Sequence, residues 1–397
     1  NQATRLMFTD FERKIAQKMV LDIHYFCNEP PAIGEYCQQS VTRLPSALAD
    51  LIQETDIGGV VLFAENLVSN QQVIQLTTDL QKAALGSKSA KPLIISIDQE
   101  GGRVARLPHA TSFAGNMAIG ATYAKNKSKY ATSSSQVIGA ELNALGINNN
   151  YAPVIDVNTN ADNPVINTRS FGENPQQVAE LGVAVVNGLQ SQGVMATLKH
   201  FPGHGDTHVD SHLGLPRVDH DLATIEKSDL APFKWAIEHS APAMIMTAHI
   251  QYPALDSSTF INKNGEETIR PATMSRKILT DLLRDKMAYQ GIIATDALDM
   301  AGIAHYFDKV TATVETLSAG ADLVVMPFKV RATEDVDKFK SFVKAVSAKL
   351  AEKMVQGQLS NSEIDESLAR LNHYKDKYIE IPSTTVAEQV AQADNVI

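Results

Sequence analysis

Between Lys199 and Pro216 the chain reads Lys-His-Phe-Pro-Gly-His-Gly-Asp-Thr-His-Val-Asp-Ser-His-Leu-Gly-Leu-Pro, four histidines and two aspartates placed directly behind the apolar run Val194–Leu198. Imidazoles and carboxylates in this density can move protons, bind metal or hold a polar ligand. His200, His204, His208 and His212 recur every fourth residue, a spacing that on a helix would stack them on one face as metal ligands. Pro202, Gly203 and Gly205 oppose that helix, because proline removes a backbone donor and glycine raises the entropy cost of ordering. The segment reads instead as an irregular loop leaving the end of a strand, where a rigid scaffold can position catalytic groups. A catalytic and substrate-binding loop is the favoured reading, with a metal site and a purely structural loop as the others.

Polar residues stand in the same relation to other apolar runs. Asp98-Gln99-Glu100 follows Leu93–Ile97, Asp156 follows Ile147–Val154, His249 follows Ala243–Thr247 and Asp296 follows Gly291–Thr295. With Val194–Leu198, Gly59–Phe63, Met19–Tyr25 and Asp322–Met326 these runs make eight candidate strands. Several are too uniformly apolar to alternate, as expected of a parallel sheet buried on both faces. Helical patterns separate them: Ser46–Thr55, Gln71–Leu85, Lys127–Leu145, Pro175–Gln192, Leu222–His239, Ser275–Tyr289 and Val310–Ala319, with Glu334–Gln356 and Ser360–Tyr378 closing the series. The alternation predicts an α/β (β/α)8 TIM barrel over residues 1–378, with an open doubly wound sheet as the alternative. Residues 379–397 read as a C-terminal tail or a linker to a second domain. In a barrel the carboxyl ends of the strands carry the chemistry, so the charged and imidazole groups there form a ring around one mouth.

Of 397 residues, 44% are hydrophobic and 20% charged, an ordinary globular composition large enough for one or two domains. The net charge of −10 and scattered basic residues argue against nucleic acid or anionic membranes as partners. No apolar stretch approaches the roughly eighteen residues of a membrane span. Asn1–Asp10 lacks the order of a signal peptide, and the missing initiator Met reads as a processed or trimmed start. Cys27 and Cys37 flank a segment with two prolines and a glycine that can turn the chain back, so a disulfide is expected, against two free thiols. A bridge implies an exported protein, and free thiols a cytoplasmic one.

The motifs Lys199–Pro216, Asp98-Gln99-Glu100-Gly101-Gly102-Arg103-Val104, Arg169-Ser170-Phe171-Gly172 and Ala294-Thr295-Asp296-Ala297-Leu298-Asp299-Met300 resemble the β-N-acetylglucosaminidases of glycoside hydrolase family 3, in order and across roughly Phe11 to Tyr378. The resemblance implies a TIM barrel, no cofactor and no catalytic metal. It implies a small carbohydrate substrate, with hydrolysis of terminal non-reducing N-acetylglucosamine from chitin or peptidoglycan fragments and retention of configuration. By the same resemblance Asp296 matches the nucleophile, His212 the acid/base and Asp210 its partner. Asp98, Arg106, Arg169, Lys199 and His200 match the residues that hold sugar hydroxyls.

The residues themselves add weight and alternatives. Asp296 directly follows a buried strand, although an acid there can also cap a helix. An imidazole titrating near 6.5 beside a carboxylate can donate a proton and take one back. His212 could equally cap a turn. Arg103 and Arg169 could be ion-pair partners of Glu100 or Asp156, and His249 a satisfied core histidine. His204, His208 and Asp206 are read as loop architecture. Gly203, Gly205 and Gly214 predict a weakly restrained loop that opens and closes over the mouth. The rival functions are a phosphorylase of the same family, a metallohydrolase using the histidines, and a carbohydrate-binding protein that has lost catalysis. The segments Cys27–Thr42 and Asn262–Ile269 are long, more like exported homologues that carry a second α/β domain.

Overall fold

The computed structural model describes residues 6–207 and 215–397. Eight parallel strands run in the spatial order β10, β1, β2, β3, β4, β5, β6, β9, with β1 at Met19–Asp22, β2 at Gly59–Leu62, β3 at Ile94–Ile97, β4 at Asn149–Asn150, β5 at Met195–Phe201, β6 at Met244–Thr247, β9 at Ile292–Thr295 and β10 at Val324–Val325. The ring closes between the two ends of that order: Leu323 N donates to Ile293 O at 3.1 Å and Thr295 N to Leu323 O at 3.1 Å. This is the expected (β/α)8 barrel, and the open doubly wound sheet is excluded.

The strands form where β-branched and aliphatic side chains can be buried on both faces; Val20, Val60, Ile94, Ile95, Leu198 and Ile292 are wholly buried. The helices begin at caps legible in the chain. Ser69 accepts from Gln72 N ahead of the helix Asn70–Leu85, and Asn174 accepts from Gln177 N ahead of Pro175–Ser191, which has proline in its first turn. Two expected helices are wound differently. Leu222–His239 is broken into a short turn, the π-helical Ile225–Asp229 and the helix Ala231–His239, and Lys277–Lys286 is π-helical.

β4 is shorter than the apolar run Ile147–Val154 because Pro153 has no N–H for the ladder; Val154 rejoins it by pairing with Lys199. β5 is longer than Val194–Leu198, and Lys199, His200 and Phe201 belong to the strand rather than to the loop after it. An antiparallel hairpin, β7 (Thr259–Ile261) with β8 (Glu267–Ile269), follows β6 and accounts for the long segment there. Cys27 and Cys37 are bridged, with Cα atoms 5.9 Å apart. Beyond Tyr378 the helix Val386–Ala393 lies against Asn70–Leu85; Ala393 is buried and Asn70 Nδ2 donates to Asp394 Oδ1 at 2.9 Å. No helix among the described residues is long and apolar enough to cross a membrane.

Candidate active site at the carboxyl ends of the strands

β5 delivers the centre of the site. Lys199 is buried, and its ammonium lies 3.1 Å from Asp98 Oδ1 and 2.7 Å from Glu100 Oε1, both in the segment following β3. Arg169 reaches the same carboxylate, Nε to Glu100 Oε2 at 3.0 Å and Nη2 to Oε1 at 2.7 Å. Burial alone would raise Glu100, but the Lys199 ammonium and the Arg169 guanidinium outweigh it and hold the acid down at about 2. Burial likewise disfavours charge on Lys199, yet Glu100 and Asp98 raise it above its ordinary value. The result is a fixed row of charge with Asp98 at its half-exposed end.

Next to Lys199, His200 is held by Asp156. That wholly buried carboxylate accepts from the His200 amide at 3.1 Å and the His204 amide at 2.8 Å through Oδ1, and meets His200 Nδ1 at 2.8 Å through Oδ2. Burial works against its charge, and the His200 interaction outweighs this and lowers it. Nε2 is left as the ring nitrogen without a partner among the described residues. His204 packs edge-on against His200 with centroids 5.7 Å apart. Burial, then the His200 charge, pushes His204 down to about 4, so it is a neutral ring at physiological pH.

Asp296 sits immediately beyond β9, its amide donating to Thr247 O at 3.0 Å. Among the described residues only the Ala297 amide bonds its carboxylate, at 2.8 Å. Burial opposes its ionisation, but the fields of His200 and His249, the Ala297 amide and Lys199 prevail and lower it. His249 is buried and satisfied, Nδ1 on Thr273 Oγ1 and Nε2 on Ala297 O, both at 2.9 Å, and burial lowers it. It is a core histidine that supports the Asp296 turn. Arg106 joins the site through Gln99, whose side-chain oxygen accepts its amide at 2.7 Å, and its guanidinium Nε is buried without a partner among the described residues. Arg103 donates to Val165 O at 3.0 Å and pairs with neither Glu100 nor Asp156.

Asp98, Lys199, Arg169, His200 and Asp296 are therefore linked at one mouth by hydrogen bonds, ion pairs and mutual fields. Asp210 and His212 lie outside the described residues. The base of their loop is not weakly restrained, contrary to the expectation from its glycines. A Cβ at Gly205 would collide with the Val157 carbonyl, Asn163 Nδ2 donates to His204 O at 2.8 Å, Asn160 Nδ2 to Thr207 O at 3.1 Å, and the Tyr252 hydroxyl to Gly203 O. At Gly205 the absence of a side chain permits this close packing. Among the described residues no three His, Cys, Asp or Glu side chains group as metal ligands. Sequence reasoning undervalued Glu100, the shared anion of two cations, and Asp156, which sets the His200 ring; the signal in both cases was an acid within three residues of the end of an apolar run.

Residues 12–373 match the profile of the Glycosyl hydrolase family 3 N terminal domain, a stretch that contains every residue of this network. The chain belongs to glycosyl hydrolase family 3. It is 51% identical over 381 residues to Beta-hexosaminidase A of Pseudoalteromonas piscicida, covering 96% of this chain and 62% of that protein. With Beta-hexosaminidase of Bordetella avium it shares 34% identity, over 74% of this chain and 77% of the other. Among solved structures, a family 3 β-N-acetylglucosaminidase from Paenibacillus sp. str. FPU-7 matches 98% of this chain and 69% of its own, with a TM-score of 0.77 and 34% identity. This family 3 chain thus spans less than two thirds of the length of its Pseudoalteromonas relative.

Proposed function

We propose that this family 3 barrel is a retaining exo-β-N-acetylglucosaminidase that removes terminal non-reducing N-acetylglucosamine from chitin or peptidoglycan fragments. One observation carries the reading. Asp98 and Glu100 are engaged by Lys199, Glu100 also by Arg169, and Asp156 by His200 and two amides; of these four acids at the mouth, Asp296 alone has no ion pair among the described residues, and its carboxyl is lowered. It is the acid free to attack an anomeric carbon. The printed names of the Pseudoalteromonas, Bordetella and Paenibacillus relatives support the sugar.

In the first step an Asp296 oxygen bonds to C1, the C1–O bond breaks, and the leaving oxygen takes a proton from His212, with Asp210 favouring the imidazolium. In the second, water attacks C1, Asp296 leaves, and His212 takes the water proton. Asp98, Lys199, Arg169, His200 and Arg106 hold the sugar hydroxyls by charged, directional bonds. The Cys27–Cys37 bridge supports an exported location, because disulfides persist in oxidising compartments.

A slow fluorinated N-acetylglucosaminide should leave its sugar on Asp296, read by mass spectrometry of the digested protein, and Asp296→Ala should abolish turnover with the fold intact. Label on another residue would overturn the assignment. Incubation with N,N′-diacetylchitobiose in the presence of phosphate should release free N-acetylglucosamine; its 1-phosphate as the main product would mean a phosphorylase instead.

A further inference from the structure

Outside the network at the mouth, one titratable cluster is built from three separate pieces of chain. His220 is half-buried and places Nε2 2.8 Å from Asp206 Oδ2 and Nδ1 2.8 Å from Asp229 Oδ2. Asp206 stands on the outgoing limb of the β5 loop, His220 follows its return limb, and Asp229 ends the π-helical turn Ile225–Asp229. Carboxylates only accept, so the ring that meets one at each nitrogen donates at both, as an imidazolium. Burial disfavours charge on His220, but Asp229 and Asp206 outweigh it and raise the ring; burial pushes Asp229 up to about 6.

Each limb is already anchored without this bridge. The outgoing limb hangs on Asp156, Asn160, Asn163 and Tyr252. The return limb pairs with Gln251, through Val218 N to Gln251 O at 3.0 Å and Gln251 N to Pro216 O at 2.8 Å. These neutral bonds tie both limbs to the neighbouring Gln251 and Tyr252, and the Asp206–His220 contact adds a direct link from one limb to the other. A buried charge cluster adds little net stability over apolar packing, while its fixed partners specify register. We infer that His220 is a positioning residue for the acid/base step: through Asp206 and Asp229 it cross-links the two limbs of the β5 loop, residues 203–207 and 215–220, and fixes their register against each other. This rests on the reading that Asp210 and His212 perform that step.

His220→Ala should lower kcat for N,N′-diacetylchitobiose about tenfold or more, as misplacement of a catalytic group does. KM should stay within about twofold, because the sugar-holding residues stand on other elements. An aryl glycoside with a good leaving group should lose less in its first step, since it departs with little protonation. His220→Gln, which can donate from one nitrogen only, should fall between wild type and His220→Ala. Amide exchange should quicken in residues 203–207 and 215–220 and stay unchanged in β5 and β6. Unchanged exchange, unchanged kcat, or an equal loss on both substrates with a lowered Tm would each overturn the inference, the last by making His220 a plain brace. His212→Ala in the same assays separates the two readings. If that variant behaves as wild type, the acid/base assignment fails, and exchange alone then decides whether His220 fixes the limbs.

Discussion

Two cations from different parts of the barrel, Lys199 on β5 and Arg169 in the loop after β4, converge on the single carboxylate of Glu100. Removing that carboxylate leaves the buried Lys199 and the partly buried Arg169 with only the fields of Asp98 and Asp156, which is far more costly than losing a surface pair. Glu100→Gln should destabilise the fold by about 3–5 kcal/mol, measured by denaturant unfolding. It should also weaken sugar binding, because Lys199 and Arg169 lose their common reference point. The sign of the pH effect follows from the depressed carboxyl. Its stabilisation is present above the ordinary value of 4.5 and drains away as pH falls toward about 2. Wild type should therefore lose stability steeply across that window, and Glu100→Gln should show a shallower slope there; identical slopes would mean that other carboxylates dominate acid unfolding.

At the scale of elements, the apolar runs located every barrel strand, because burial on both faces needs uninterrupted aliphatic side chains and that need is written locally. The ends of strands were harder. Lys199 and His200 read as loop because their side chains are polar, yet they are strand residues. Ile155 N donates to Lys199 O at 2.8 Å and Ala248 N to Phe201 O at 2.8 Å, and the two side chains are matched by Asp98, Glu100 and Asp156 from the segments after β3 and β4. Such compensation is non-local and leaves no pattern in the strand itself. Gly203 and Gly205 were ambiguous for the opposite reason, because close approach and mobility call for the same residue; Gly214 lies outside the described residues. The Cys27–Cys37 strap was legible from spacing, and it closes an exposed loop held at one end by Cys27 N on Arg331 O at 2.9 Å. Reduction should raise intact mass by about two daltons and lower stability by about 2–3 kcal/mol, as expected for so short a loop. Two alkylatable thiols in native protein from an oxidising source would sink the bridge and the exported location with it.

For the whole molecule, the barrel has two ends with different duties, and the second was invisible in sequence because its parts are spread from Lys18 to Arg370. Asp322, just before β10, is wholly engaged: Oδ2 accepts from Arg284 and from the Ile293 amide, both at 2.8 Å, and Oδ1 from Arg370 at 2.7 Å and Ser367 at 2.6 Å. Ser367 in turn accepts from Lys18, whose carbonyl takes the Val324 amide at 2.8 Å and whose ammonium burial pushes down to about 8. The cluster thus staples β1, β9, β10 and the helix Asn361–Tyr378 at the amino ends of the strands, across the seam where the ring closes. Residues there serve stability, and those at the carboxyl ends serve chemistry. Asp322→Ala strands three cations and should cost about 3–5 kcal/mol, read as a fall in Tm of about 5 °C. At temperatures where the variant is fully folded, kcat/KM on diacetylchitobiose should remain within about twofold of wild type, because no residue of the mouth network touches the cluster. A collapse of kcat/KM with intact circular dichroism would show that closure of the ring sets the geometry of Asp296, just beyond the neighbouring β9, and that the two ends do not act separately.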